Sequence, residues 1–308
     1  MPPKKILITG ANGLLGQKLV ELLSQQPDVE LIATARGHCR LPAHYTHYRY
    51  ESLDITQPDE VAQQLAALKP DCVIHTAAMT NVDQCEGQKE DCWKMNVDAV
   101  QYLVDACTRH DIFLLHLSTD FIFDGLNGPY TEEAEAVPIS HYGESKLAAE
   151  RVVRESSHLR WAIARTVLVY GIAHDMSRTN IILWVKKSLE DGKTIQVVND
   201  QWRTPTLAED LAMGCWLIVQ QEAKGIFNIS GKDFLTPYEM AIRTADFFHL
   251  DKSLIQLADS STFTQPAKRP PRTGFVLTKA ETVLGYQPHT FEEGIAVLAA
   301  QYEGLIGI

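Results

Sequence analysis

The first half of the chain alternates short apolar runs with longer amphipathic stretches. The short runs predict strands at Lys5 to Thr9, Glu30 to Ala35, Tyr48 to Tyr50, Asp71 to Thr76, Phe113 to Ser118 and Arg160 to Thr166. The longer ones predict helices at Leu14 to Ser24, Pro58 to Leu68, Lys89 to Arg109 and Ser140 to Glu155. Alternating strands and helices imply βαβ units and a parallel sheet covered on both faces, an α/β Rossmann-type doubly wound fold. Ligands of such sheets lie beyond the carboxyl ends of the strands, so the residues just after each strand are the candidates for chemistry.

After Tyr170 and Gly171 the rhythm changes. A helix is expected over Thr179 to Leu189, a short strand over Thr194 to Val198, and a helix over Leu207 to Gln220 that returns to the sheet and leads into a strand at Gly225 to Ser230. Pro237 to Phe248, with Thr236 as N-cap, and Phe291 to Gln301 read as further helices, and the Pro-rich stretch Gln265 to Pro271 as a loop. The expected division is a dinucleotide-binding domain of residues 1–171 plus about 206–231, and a smaller C-terminal substrate-binding lobe of residues 172–205 and 232–308, without internal repeats.

Composition narrows the class. With 308 residues and 45% hydrophobic content the chain is globular and needs no disulfide or metal staple. Its formal charge of -11 argues against a broad nucleic-acid footprint. The six cysteines, Cys39, Cys72, Cys85, Cys92, Cys107 and Cys215, form no CxxC pair and mostly sit in apolar runs as small hydrophobes, so no metal site is assigned. Gly10, Asn12 and Gly13 interrupt the apolar run after Lys4 and Lys5, and no stretch approaches the roughly 18 apolar residues of a membrane span. The expectation is a soluble cytoplasmic protein with neither membrane nor nucleic acid as partner.

Chemistry enters at the strand ends. Gly10, Gly13 and Gly16 stand in TGANGLLG, between the first strand and the first helix. The first permits a tight turn, the second close approach of a pyrophosphate, and the third close helix–strand packing, while the helix N-terminus attracts the anion. Asn12, Leu14 and Leu15 line the same turn. Strand two ends at Arg36, where a carboxylate would select NAD; a guanidinium there suits a 2′-phosphate, which favours NADPH and leaves NADH open. Asp54 and Ile55 follow the third strand and suit an adenine ring, with a turn-capping role for Asp54 nearly as good a reading. Ala77 and Ala78 follow the fourth strand, small enough for a cofactor to lie against the backbone. Asn96, among apolar neighbours, needs partners and could tie strand ends together beside the site.

Tyr142 and Lys146 are i and i+4 on one predicted helix, so the ammonium can lower the phenol's pKa and hold a ribose hydroxyl. They follow Ser118, Thr119 and Asp120 at the end of strand five, where a hydroxyl could serve the same carbonyl. With the glycines, this makes a three-part constellation.

The stretches ILITGANGLLG, VIHTAAMTNVDQCE, LSTDFIFDG with PYTEE, YGESKLAAE, ARTVLVYG, and NDQWRTPTLAEDLA with GIFNISG resemble the extended short-chain dehydrogenase/reductases, and within them the dTDP-4-dehydrorhamnose reductase family. The resemblance implies NAD(P)H-dependent reduction of the C4 keto group of a nucleotide-linked deoxy sugar, giving dTDP-rhamnose. It puts Thr119, Tyr142 and Lys146 at the catalytic positions, Val82, Asp120 and Leu168 against the sugar, and Arg203 or Arg272 near its diphosphate. A homodimer is compatible with it. Phe121 and Leu168 replace the family's usual Tyr and Trp, which bears on the sugar rather than on the reduction. The β subunit of methionine adenosyltransferase is similar too, through Gln201 to Thr206 and LTPYEMAIRTADFFHLDKSLIQLADS, which implies a regulatory NADP-binding protein as the alternative. A nucleotide-sugar epimerase or dehydratase is a third reading. Against it, Asp120 is followed by Phe121 where a dehydratase carries a second acid, and Arg36 suits a different cofactor from the epimerases' NAD.

Overall fold

The computed structural model describes residues 2–175, 179–263 and 265–306; residues 1, 176–178, 264 and 307–308 of the expected domain and lobe lie outside them. In chain order its strands are β1 (Lys4–Thr9), β2 (Val29–Ala35), β3 (Tyr48–Ser52), β4 (Cys72–His75), β5 (Phe113–Thr119), β6 (Trp161–Thr166), β7 (Val169–Tyr170), β8 (Ile195–Val198), β9 (Thr206–Leu207), β10 (Gly225–Asn228) and β11 (Ile255–Ala258). The helices are α1 (Leu14–Leu23), α2 (Pro58–Leu68), α3 (Val82–Gly87), α4 (Lys89–Trp93), α5 (Ala99–Arg109), α6 (His141–Glu155), α7 (Ile181–Glu190), α8 (Ala208–Gln221), α9 (Pro237–Phe247) and α10 (Phe291–Ile306).

Seven strands form one parallel sheet in the order β10-β6-β5-β4-β1-β2-β3. The order reverses direction at β1 and β4, which puts the switch point, where such folds bind ligands, between the exits of those strands. The period-2 alternation of strand side chains explains the two flanking cores. Ile6 and Ile8 face α1 and α8, whereas Leu7 between them joins the cluster under α2, α5 and α6. β5 lies centrally and is buried along its whole length, so its exit is held rigidly.

Two smaller clusters lie beyond Tyr170. One gathers Tyr170, Ile182, Leu207, Leu235, Met240, Phe291 and Ile295; the other packs Val185 and Leu189 of α7 against Ala241 and Ala245 of α9 and the β8–β11 pair. The segment bearing Phe275, Leu277, Ala280, Leu284 and Tyr286 packs with the main core, although it falls within the range 232–308 expected for the smaller lobe.

Three local features depart from the sequence pattern. The single helix expected over Lys89 to Arg109 is broken into α4, a π-helical turn at Lys94–Asp98 and α5. Asn96 occupies that widened turn and is buried, with its amide directed at the exit of β4; such insertions in helices are frequent at functional sites. The helix α3 was not anticipated because its six residues are too few to show a period; Asn81 caps it by accepting from the Gln84 N–H. β11 was missed because its middle residues, Gln256 and Leu257, are exposed, leaving no alternation to read.

Among the described residues no helix is long and apolar enough to cross a membrane, and no cluster of His, Cys, Asp or Glu could hold a metal. Five of the six cysteines are buried and Cys39 is exposed; all are free.

Candidate active site

β1 ends at Thr9 and the chain turns at Gly10, whose φ of +73° lies in the left-handed region that a side chain resists. A Cβ at Gly10 would also meet the Ala77 backbone nitrogen at 2.8 Å, which shows how closely the exits of β1 and β4 approach. At Gly16 a Cβ would lie 2.2 Å from the Gly10 carbonyl oxygen, a backbone atom that cannot yield. Gly16→Ala is therefore expected to cost about 1–3 kcal/mol of stability by overpacking, read from urea denaturation, and to weaken dinucleotide binding.

Gly13 is the N-cap of α1 and brings no side chain to the first-turn amides, which leaves that end of the helix suited to an anion. Asn12 acts as a clasp. Its amide donates to the His38 carbonyl at 3.0 Å and accepts from the Arg40 N–H at 2.9 Å, joining the glycine turn to the loop after β2. Arg36 stands exposed at the start of that loop. Sequence reasoning missed Gln17, which is buried and bonds the Asn12 carbonyl, the His174 carbonyl and the His174 N–H, so the turn is also anchored to the second half of the chain.

Other expected cofactor residues take more local roles. Asp54 accepts from both the N–H and the hydroxyl of Thr56 through one oxygen, the turn-capping alternative weighed for it; Ile55 beside it is buried. Ala77 donates to the Thr9 hydroxyl at 3.4 Å, and Ala78 lines the same exit, partly exposed. Asn96, grouped with the cofactor residues and expected to tie strand ends together, finds its partners within the protein. Its amide exchanges two hydrogen bonds with Met79 and donates to Ser145 at 3.0 Å, so it ties the exit of β4 to α6.

The expected catalytic residues converge where β5 meets α6. Ser140 caps α6 by accepting from the Gly143 N–H. Gly143 then lets the helix press on the turn after β5, since a Cβ there would lie 2.2 Å from the Phe121 carbonyl oxygen. This contact brings Tyr142 against Thr119 and Lys146 against Leu117 of β5. Tyr142 is buried with Cys85 and Cys92, flanked by Met79, Val82 and the edge of the Phe121 ring. Burial is the main cause holding its phenol well above the usual tyrosine range; a hydrogen bond with Thr119 works against that, and Asp120 adds to it. Lys146 is buried as well, and desolvation brings it down to about 8. Its ammonium donates to the Leu117 carbonyl at 2.7 Å and lies 3.4 Å from His116 Nε2. The expectation that Lys146 lowers the phenol's pKa is thus not met in this arrangement, because the ammonium is committed to the Leu117 carbonyl and His116.

Thr119 donates to Asp120 Oδ1 at 3.1 Å and accepts from the Phe121 N–H at 3.3 Å. Asp120 is 2% exposed, accepts from Thr273, and has Arg203 Nε at 3.8 Å; burial raises its pKa against these partners. Arg203, expected to reach a diphosphate, is buried and spends its guanidinium on the carbonyls of Trp202, Pro270 and Pro271. It pins the Pro-rich loop over the site, where Arg269 adds a paired contact to Asp83 beside Val82. Arg272 is exposed and lies over the rings of Trp202 and Phe234 at 5.4 and 5.3 Å. Leu168 is 44% exposed with a φ of +36°.

A glycine-turned parallel sheet with a Thr, a Tyr and a Lys gathered at one strand end defines an extended short-chain dehydrogenase/reductase. The chain belongs to the RmlD substrate-binding domain family, whose match runs over residues 4–303. It is 31% identical to a probable low-salt glycan biosynthesis reductase of Haloferax volcanii, covering 96% of this chain and 97% of that one. To the dTDP-4-dehydrorhamnose reductase of Aggregatibacter actinomycetemcomitans it is 30% identical, covering 97% and 99%. It is 29% identical to the methionine adenosyltransferase 2 subunit beta of Mus musculus, covering 96% and 87%. Among solved structures it resembles a dTDP-4-dehydrorhamnose reductase of Clostridium acetobutylicum, with a TM-score of 0.84 at 27% identity over 97% and 99% of the two chains. That of Bacillus anthracis, in complex with NADP, gives a TM-score of 0.82 at 25% identity over the same shares.

Proposed function

We propose that the chain is an NADPH-dependent reductase of the C4 keto group of a nucleotide-linked 6-deoxy sugar, with dTDP-4-dehydrorhamnose as the first substrate to test and dTDP-rhamnose biosynthesis as its setting. The observation that carries this reading is that Tyr142, hydrogen-bonded with Thr119 at the exit of β5, and Lys146, on the Leu117 carbonyl of the same strand, are all buried along one face of α6 and β5. Reductases of this family named for the same reaction cover nearly the whole chain.

The residues present fit the cofactor. The α1 N-terminus without a side-chain cap suits its pyrophosphate, Gly10, Gly13 and Gly16 permit close approach, and exposed Arg36 suits a 2′-phosphate. When bound, NADPH supplies the hydride. Tyr142 gives its proton to the oxygen at C4, Thr119 donates a hydrogen bond to that oxygen, and Lys146 holds a hydroxyl of the nicotinamide ribose. We place the sugar between the Tyr142 pocket, with Val82 and Asp120, and a lobe of residues 172–205 and 232–308. A cytoplasmic protein, as a homodimer, belongs to the same reading.

The charge on Lys146 is needed for reduction and is held with a pKa of about 8. The sign follows: the group is charged below that value and loses its proton above it, so kcat is expected to fall as pH rises through about 8. A kcat profile from pH 6 to 10 checks this.

A screen of nucleotide 4-keto-6-deoxy sugars with NADPH and NADH, followed by product NMR, tests the function. Turnover of one of them is expected. Stable association with another enzyme and no turnover would support the regulatory reading carried by the methionine adenosyltransferase likeness.

A further inference from the structure

β4 and β5 are neighbours whose register sets His75 directly opposite His116. Both side chains are buried, and their rings stack at 5.4 Å between centroids with an interplanar angle of 27°. His75 Nδ1 lies 2.7 Å from the Thr9 hydroxyl, which fixes that ring from the β1 side. His116 points its Nε2 at Lys146 Nζ, 3.4 Å away, while its Nδ1 has no hydrogen-bond partner among the described residues. Two histidines in the floor of a reductase site, one of them imperfectly satisfied, need a physical reason.

Lys146 supplies one. Its ammonium is buried, and the nearest acid on its own helix, Glu150, is committed to Arg165 through bonds of 2.9 and 2.7 Å. The groups that act on it are Glu150 from α6 and Cys92 from α4, both of which favour its charged form, with His116 and His75 beneath it. Burial keeps both imidazoles uncharged, His75 down at about 3 and His116 well below the ordinary histidine range. A neutral imidazole with its proton on Nδ1 presents a lone pair at Nε2, so His116 can accept from the ammonium without competing as a second cation.

We infer that His116 is a positioning residue for Lys146: its Nε2 and the Leu117 carbonyl form a two-acceptor cradle that holds the ammonium at the end of β5, and stacked His75 sets the orientation of the ring. The inference rests on the proposed reading of Tyr142 and Lys146 as the catalytic pair for its consequence in turnover, but the cradle itself is a property of the free protein.

Two measurements test it. In turnover, His116→Leu is expected to move the alkaline fall of kcat downward by about one to two pH units, the worth of a hydrogen bond to a charged group, with KM nearly unchanged. His116→Gln, which restores an acceptor near the Nε2 position, is expected to return the profile to that of the wild type. The second measurement needs no activity. Because the folded-state pKa of Lys146, about 8, lies below the ordinary lysine value of 10.5, the unfolded chain binds the extra proton between them, and stability rises with pH across that window. Lys146→Met is therefore expected to raise the melting temperature at pH 7, and to raise it more in the His116→Leu background than in the wild type, the two gains converging by about pH 10.5.

His116→Met is the second apolar replacement should Leu prevent folding. An unchanged pH profile in the folded apolar variant, or equal gains from Lys146→Met in both backgrounds at pH 7, would overturn the inference. If the wild type turns over no keto sugar, the functional reading fails while the melting experiment still decides the cradle.

Discussion

Replacement of Tyr142 by Phe is expected to lower kcat by about 10²–10⁴-fold while KM for both substrates stays within a few-fold. The phenol is the acid of the proposed reaction, and its ring already fills an apolar cluster with Cys85 and Cys92. Phe keeps that ring, so the fold should persist and the loss should fall on the proton transfer alone. Steady-state rates of NADPH oxidation, with melting curves of both proteins alongside, separate the two effects. Burial holds the phenol protonated throughout the working pH range, which is the state a reductase needs in its acid. The cost of that arrangement is a poor leaving proton.

The second large effect concerns stability. Arg165 on β6 and Glu150 on α6 form a paired contact at 2% and 0% side-chain exposure, and Arg165 also donates to the Glu132 carbonyl. Glu132 in turn accepts from the Asn228 N–H of β10. One buried network therefore joins two edge-side strands to the helix that carries Tyr142 and Lys146. Glu150→Ala is expected to cost about 3–5 kcal/mol, because it leaves a guanidinium buried without its carboxylate. Replacing both partners by apolar residues, as in Glu150→Leu with Arg165→Met, should recover most of that loss. Guanidinium denaturation of the three proteins checks the sign and the recovery together. Activity in Glu150→Ala should fall with the fold, since α6 loses its anchor one turn beyond Lys146.

How much of this was legible in the sequence depends on the length scale of each feature. The parallel sheet could be read because its strands are apolar throughout and its helices are long enough to show a period; β5 and α6 are the clearest instances. The glycine turn at Gly10 and the placement of Tyr142 and Lys146 on one helix could be read because each depends on local spacing. What escaped depends on contacts between distant segments. Asn96 gave the right signal, a buried amide, but only the fold shows it joining Met79 to Ser145. Arg203 was expected near a diphosphate, yet its hydrogen-bond partners are three backbone carbonyls, two of them more than sixty residues away. His116 carried no periodic or motif signal at all, because its meaning lies in facing His75 across a strand pair and Lys146 across a helix.

The central claim is that this site moves a hydride to a sugar carbonyl carbon and a proton to its oxygen. Incubating the protein with NADPH deuterated at the transferable position of C4 and dTDP-4-dehydrorhamnose, then recording the product by NMR, tests that claim most directly. Deuterium at C4 of the reduced sugar, in amount equal to the NADPH oxidised and formed at least about 10²-fold more slowly with Tyr142→Phe, is the expected result. Deuterium-free sugar, with the cofactor bound but not consumed by any 4-keto sugar nucleotide, would contradict it.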